Sequence, residues 1–200
     1  MRILGYCKYK FGIKKSPKKI NLCGCARIGN FYNVDLNPQA DLVIDLEKKL
    51  LPFRDKSADT VVCISAINYF SKKRGGEIIK DIFRILNKGG VARFGTQDFF
   101  EICRKYVNGE KDFFFQKLPN GKERFKGVTV SEKINEWFYG YKISGGKSCK
   151  YFYDFETLAL LFKEAGFSKI ERKKYRESQI PEIDKIDNRP DQMFFLEAVK

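Results

Sequence analysis

The sequence predicts an α/β domain built on a mostly parallel sheet that ends in an antiparallel strand. Three observations carry that prediction. From Lys19 to Thr96 short apolar runs alternate with polar breaks, the rhythm of strands joined by crossovers. One of them, Thr60–Ile67 (TVVCISAI), is apolar almost throughout, as a central strand covered on both faces must be. Before the next strand, Ile78, Ile79, Ile82, Phe83 and Leu86 recur at helical spacing.

Taken in order, Lys19–Leu22 is the first strand and ends at Cys23-Gly24. Phe31–Leu36 follows and carries Asp35; Leu42–Leu46 is the third strand and carries Asp45. Thr60–Ile67 is the fourth, followed by a helix over about Arg74–Leu86, and Val91–Gly95 is the fifth, entered through the turn Lys88-Gly89-Gly90. Only Cys25–Asn30 separates the first two strands, too few residues for a crossover helix, so that helix is expected to be missing or replaced. Phe99–Val107 reads as a helix on Phe100, Cys103 and Val107. Asp154 is a plausible N-cap for another, with Phe155, Leu158, Leu161, Phe162 and Ala165 on its apolar face and Gly166 at its end. Lys169–Tyr175 and Gln192–Val199 are the last strands. The turn-rich Pro181–Pro190 between them shows no helical pattern, so an antiparallel pair is expected.

The 200 residues, 43 % of them apolar, fit one folded domain spanning 1–200, with 1–18 as a basic N-terminal arm. Residues 108–150 mix aromatics with Gly and Lys. They read either as a lid over a substrate pocket or as a satellite core under a long loop, and a segment this long without regular pattern favours the lid. No run approaches the ~20 apolar residues of a membrane span, and the basic start has no apolar core of a signal peptide; a cytoplasmic protein is expected. Cys7, Cys23, Cys25, Cys63, Cys103 and Cys149 are scattered and histidine is absent, so no metal site is expected. The net charge of +14 suits an RNA, an anionic membrane or a phosphorylated partner. The lysines, however, are dispersed along the chain, which favours a solvated basic surface.

Several motifs resemble those of one family. Ile20-Asn21-Leu22-Cys23-Gly24-Cys25 followed by Asn33-Val34-Asp35 is similar to the glycine motif and acidic strand end of S-adenosylmethionine (SAM) methyltransferases. Leu51-Pro52-Phe53 with Asp55, Ser57, Asp59 and Val61-Val62, then Leu86-Asn87-Lys88-Gly89-Gly90, then Ala165-Gly166-Phe167, resemble further motifs in the same order. Gln97-Asp98, Asp187-Asn188-Arg189 and Glu197-Ala198 are similar to features of a compact branch of predicted methyltransferases, of the methyltransferase type 11-like kind. The resemblance covers residues 19–107 and 151–200. It implies a Rossmann-like class I methyltransferase sheet with reduced helices between the first strands, and SAM as cofactor.

For the site, the resemblance and the rule that open sheets bind ligands beyond their carboxyl strand ends point the same way. Asn21, Cys23 and Gly24 would lie against the methionine part, where glycine lets backbone approach without a Cβ. Asp35 would accept the ribose hydroxyls, with Leu36 beside it; Asp45 would accept from the adenine amino group, with Leu46 or Ile44 against the ring. Ser65 completes the cofactor set. The family's usual Gly-x-Gly is here Cys23-Gly24-Cys25. Where relatives often carry Glu-His after the fourth strand, this chain has Asn68-Tyr69. Asp98 and Tyr69 are therefore the candidate catalytic residues at the methyl end, Asp98 as a base or as a helix N-cap.

Three functions follow: methyl transfer to a small-molecule or glycan-type acceptor, which is favoured; an RNA-directed methyltransferase or RNA binder; and a SAM-binding protein without turnover. Nucleic acid is possible but not favoured as a partner, and neither the acceptor nor the oligomeric state can be read from the sequence.

Overall fold

The computed structural model describes residues 16–24, 27–140, 142 and 146–200. Residues 1–15 of the basic arm, with Cys7, and also Cys25 lie outside them. Seven strands form one sheet: β1 (Lys19–Leu22), β2 (Tyr32–Asp35), β3 (Leu42–Val43), β4 (Ala58–Ile64), β5 (Leu86–Gln97), β6 (Lys169–Lys173) and β7 (Met193–Val199). Their order is β3-β2-β1-β4-β5-β7-β6. β7 runs antiparallel to both β5 and β6, and the pairings from β3 through β5 are parallel. The sheet is an open, Rossmann-like one with an antiparallel strand near one edge. No described helix is long and apolar enough to cross a membrane.

The helices are α1 (Lys72–Ile85), α2 (Phe99–Val107), α3 (Lys111–Phe114), α4 (Val130–Asn135), α5 (Phe155–Ala165) and α6 (Ile183–Ile186). α1 begins where the Ser71 hydroxyl accepts from the Arg74 N–H, and it buries Ile78, Ile79, Ile82 and Ile85. α5 begins at Asp154, whose carboxylate accepts from the Thr157 N–H. It ends at Gly166, whose φ of 104° is the left-handed conformation that suits glycine at a helix end. A Cβ there would also press on the Phe83 ring at 3.1 Å.

Three strand expectations need correction. The third strand is only Leu42–Val43, because the Asp45 carbonyl turns to accept from the N–H groups of Lys48 and Lys49, which puts Asp45 beyond the strand. The fourth stops at Ile64: Ser65 takes a φ of 59°, and Ile67–Tyr69 is a single tight 3₁₀ turn. The fifth begins at Leu86 directly after α1 and runs to Gln97, so Gly89 and Gly90 lie within it.

The two faces of the sheet are covered differently. α1 and α5 pack on one face, over Ile20, Leu22, Val34, Val61, Cys63, Ala92, Phe94 and Leu196. On the other, no described helix joins β1 to β2. Residues 174–190, a strap carrying only the short α6, take that place: Ile180, Ile183 and Ile186 pack with Ile28, Phe31, Val62, Ile64 and Val91. The strap is pinned by Arg93 of β5, whose side chain is 0 % exposed, as is that of Asp187. Arg93 Nη2 and Nε donate to the two Asp187 oxygens at 2.6 and 3.2 Å, and its other donors reach the carbonyls of Lys174 and Glu177 and the carboxylate of Glu197. The Arg176 N–H also donates to Asp187 at 2.7 Å. A buried charge needs this degree of pairing to be tolerated.

The aromatics of the 108–150 region form a core of their own. Phe113, Phe114, Phe125, Trp137 and Phe138 pack with Ile102 of α2, separate from the core beneath α1 and α5.

Candidate functional site

In an open α/β sheet the crevice for a ligand opens where strand order reverses, here between β1 and β4. A cavity of about 480 Å³ lies there. Residues just past four strand ends line it: Cys23 and Gly24 after β1, Leu36 after Asp35 of β2, Ile44 and Leu46 after β3, and Ser65 and Ala66 after β4. Asn21, Tyr69 and Phe70 complete this side, and Ile186, Asn188 and Arg189 of the strap close the other.

At the β1 end, Asn21 is buried and its amide donates to Asn33 Oδ1 at 3.0 Å, tying β1 to β2 on the strap-covered face. A Cβ at Gly24 would collide with the Asn21 side chain, which its bond to Asn33 holds in place, so glycine suits this position. Cys23 has a φ of 54°, the left-handed conformation usually left to glycine. It is held by its own N–H, which donates to the Val34 carbonyl at 2.7 Å. The chain thus keeps the backbone of a glycine turn at a cysteine.

Asp35 is 9 % exposed, and its Oδ1 accepts from the Asn37 N–H at 2.8 Å. That bond fixes a carboxylate at the cavity wall beside Leu36. Ile44 and Leu46 give the neighbouring apolar wall. Asp45 itself does not line the cavity. Its Oδ1 accepts from Lys147 Nζ at 2.5 Å and from the Glu47 N–H at 3.0 Å. Burial pushes the Asp45 carboxyl up, but Lys147 and the Glu47 N–H outweigh it, and the net shift is downward. Lys147 and Lys142, from the end of the 108–150 region, do line the cavity.

At the β4 end, Ser65 accepts from Arg189 Nη1 at 3.0 Å. Six described non-glycine residues have positive φ, and three of them, Cys23, Ser65 and Arg189, line this one cavity. Backbone strain gathers in this way where a structure is shaped for a ligand.

The two candidate catalytic residues part company. Tyr69 is at the cavity. Asp98 lies outside its lining, 4 % exposed, capping α2 through a 3.4 Å bond from the Glu101 N–H and pairing with Arg172 at 2.5 Å. Burial raises the Asp98 carboxyl above its usual range, with Arg172 opposing the shift.

The lining residues not foreseen include Ile28, Ile64, Ala66, Phe70 and Ile186 and the cationic set Lys142, Lys147, Lys185 and Arg189. Asp187-Asn188-Arg189 was visible as a motif, but its partner Arg93 lies 94 positions earlier, so its place at the site was not.

The donor set fits SAM: a glycine turn at the β1 end, a strand-end carboxylate at Asp35, and apolar side chains at Leu36, Ile44 and Leu46 along the cavity. Residues 16–94 match the family model described as a methyltransferase domain. No curated protein matches the sequence. Among solved structures, a SAM-dependent methyltransferase from Archaeoglobus fulgidus is similar at 15 % identity and a TM-score of 0.51, over 100 % of this chain and 91 % of that one. Phosphoethanolamine N-methyltransferase 2 from Haemonchus contortus, in complex with S-adenosyl-L-methionine, is similar at 14 % identity and 0.51, over 98 % of this chain and 52 % of that one. At these identities the two structures speak to the fold. Together with the match of residues 16–94 to a methyltransferase domain, they show that the chain has the fold of class I SAM-dependent methyltransferases.

Proposed function

We propose that this chain is a SAM-dependent methyltransferase acting on a small-molecule or glycan-type acceptor, bound with SAM in the cavity beyond β1 and β4. The observation that carries the reading is the convergence of four strand ends on one space of about 480 Å³, within the usual ~300–1,000 Å³ of small-ligand sites. Bound SAM supplies an electrophilic methyl group on a sulfonium. Asp35 accepts the ribose hydroxyls, and the turn at Cys23 and Gly24, without a Cβ at Gly24, admits the methionine part beside Asn21. Leu36, Ile44 and Leu46 exclude water from the adenine. Asp45 acts at the same edge through its neighbours, since Lys147 and the Glu47 N–H already occupy one of its oxygens. Ser65 and Tyr69 border the methyl end, where Tyr69 orients the acceptor; positioning of this kind supplies much of the rate in an in-line displacement. Asp98 serves that end from behind by holding α2 and Arg172.

A thermal-shift titration with S-adenosylhomocysteine tests the reading. Binding to the native state must raise Tm, and Asp35→Ala must remove most of that rise. An undiminished rise in the variant would move the ribose site elsewhere. The net charge of +14 favours RNA as a second acceptor class. Nonspecific contacts to phosphates would fade steeply as salt rises, whereas selective binding that survives physiological salt would put RNA first.

A further inference from the structure

We propose that the acceptor carries a phosphate group, which docks on Arg189 at the Ser65 edge of the cavity. This rests on the reading of the cavity as the SAM site, and it names what the other half of the site takes.

The first observation is charge. Lys142, Lys147, Lys185 and Arg189 line the cavity, and Asp35 is the acid among its lining residues. Lys147 is neutralised by Asp45, so Lys142, Lys185 and Arg189 still outnumber Asp35. SAM does not redress this balance: its carboxylate is offset by its ammonium, and its sulfonium adds a further positive charge. A site that is more cationic when loaded favours a dianion beside the cofactor over a neutral or monoanionic group.

The second observation is how Arg189 is held. Ile186 and Asp187, both buried, immediately precede the exposed Asn188 and Arg189. Ile186 is anchored in the cluster with Ile28 and Val62, and Asp187 in its bidentate pair with Arg93. Arg189 then takes a φ of 50°, which side chains rarely adopt, and its Nη1 meets Ser65 just past β4. A guanidinium has five donors in a fixed fork, so one bond to a hydroxyl leaves the geometry to grip an oxyanion. A solvated surface arginine needs neither the buried anchor nor the strained backbone. Ser65 lies past β4, across the switch point from the Asp35 end, which is the acceptor's side of the cavity.

The test uses the full chain saturated with S-adenosylhomocysteine, titrated with inorganic phosphate at constant ionic strength in a calorimeter. Arg189→Gln is compared with Lys163→Gln, an exposed position on α5 away from the cavity. Phosphate should bind the complex, and Arg189→Gln should weaken it by about tenfold or more, the scale of one charge-assisted hydrogen bond. Its affinity for S-adenosylhomocysteine should stay within about threefold of wild type, and Lys163→Gln should change neither ligand. Equal phosphate binding by both variants overturns the proposal, and so does acetate binding as tightly as phosphate. If Arg189→Gln loses S-adenosylhomocysteine but not phosphate, Arg189 holds the cofactor's carboxylate and the proposal is wrong. A short single-stranded RNA that outcompetes phosphate and depends on Arg189 would replace the small acceptor with a nucleic-acid backbone. Failure of the wild type to bind S-adenosylhomocysteine at all would instead remove the SAM site, and the inference with it.

Discussion

The two faces of the sheet solve the same problem with different chemistry. Under α1 and α5, β-branched and aromatic side chains from alternate strand positions meet helices whose apolar stripe recurs every third or fourth residue. The opposite face presents Asn21, Asn33 and Arg93 among Val62 and Ile64, and it is covered by a strap with almost no helix. The first face stores stability in apolar area. The second spends part of its surface on polar ties that fix the positions of cavity residues: Asn21 against Gly24, and Asp187 ahead of Arg189. Division of labour between the faces is the lesson, and it makes them separable by mutation.

The largest effect should come from breaking the strap's anchor. Arg93→Met leaves Asp187 buried without its partner and should cost about 3–5 kcal/mol in urea denaturation, whereas Arg93→Met with Asp187→Leu should recover most of it. A single-variant cost under ~1 kcal/mol would mean that the strap is not integral to the fold. Phe162→Ala on the helix face should cost about as much, 3–5 kcal/mol. It should nonetheless leave the stabilisation added by S-adenosylhomocysteine unchanged, which the strap variant should not. If both variants alter ligand stabilisation equally, the faces are not functionally distinct.

Next in size is Asp35→Ala. Losing two hydrogen bonds to a charged acceptor, at about 1.5 kcal/mol each, should weaken S-adenosylhomocysteine about a hundredfold by calorimetry. The unliganded protein should lose only the Asn37 bond, about 1.5 kcal/mol. Asp98→Asn should do less: asparagine still caps α2, and the pair with the half-exposed Arg172 is worth about 1 kcal/mol or less. Turnover on the true acceptor should fall by less than about tenfold, because loss of a general base removes ~10²–10⁴. A larger fall with normal cofactor binding would make Asp98 the base after all.

The smallest effect is chemical. Burial, with the nearby Asp35 charge adding to it, pushes the Cys63 thiol up to about 12, so native protein should leave it unalkylated by iodoacetamide at pH 8 while exposed Cys103 reacts. Site-resolved mass spectrometry reads this directly, and fast labelling of Cys63 would mean that the helix face opens readily.

The helix-covered face was legible in the sequence because its signals are local. The Ile78–Ile82–Leu86 spacing, Asp154 as cap and Gly166 as stop each sit within a few residues of what they determine. Asn21, Cys23, Gly24, Asp35, Leu36, Leu46, Ser65 and Tyr69 all line the cavity because strand ends fall where apolar runs end. Asp45 and Asp98 do not, and the reason is again distance. Lys147 lies 102 positions from Asp45, and Arg172 lies 74 from Asp98. Neither pairing leaves a trace near the carboxylate it occupies. The strap was hidden in the same way. Pro181–Pro190 reads as a turn-rich connection, and nothing within it says that Asp187 is the counter-ion of a buried arginine on β5.

That long-range pin also has a consequence in time. Asp187 follows Arg93 by 94 residues. At a synthesis rate of ~5–20 residues per second, β5 waits about 5–20 s for its counter-ion to be made. Through that interval the strands that end at the cavity exist, but the wall bearing Arg189 does not. A nascent chain therefore carries an arginine whose buried partner does not yet exist, and a competent pocket waits until the last elements have been added. Cofactor capture on the ribosome would report that the chain has been made past the strap, not merely that its sheet has begun to form.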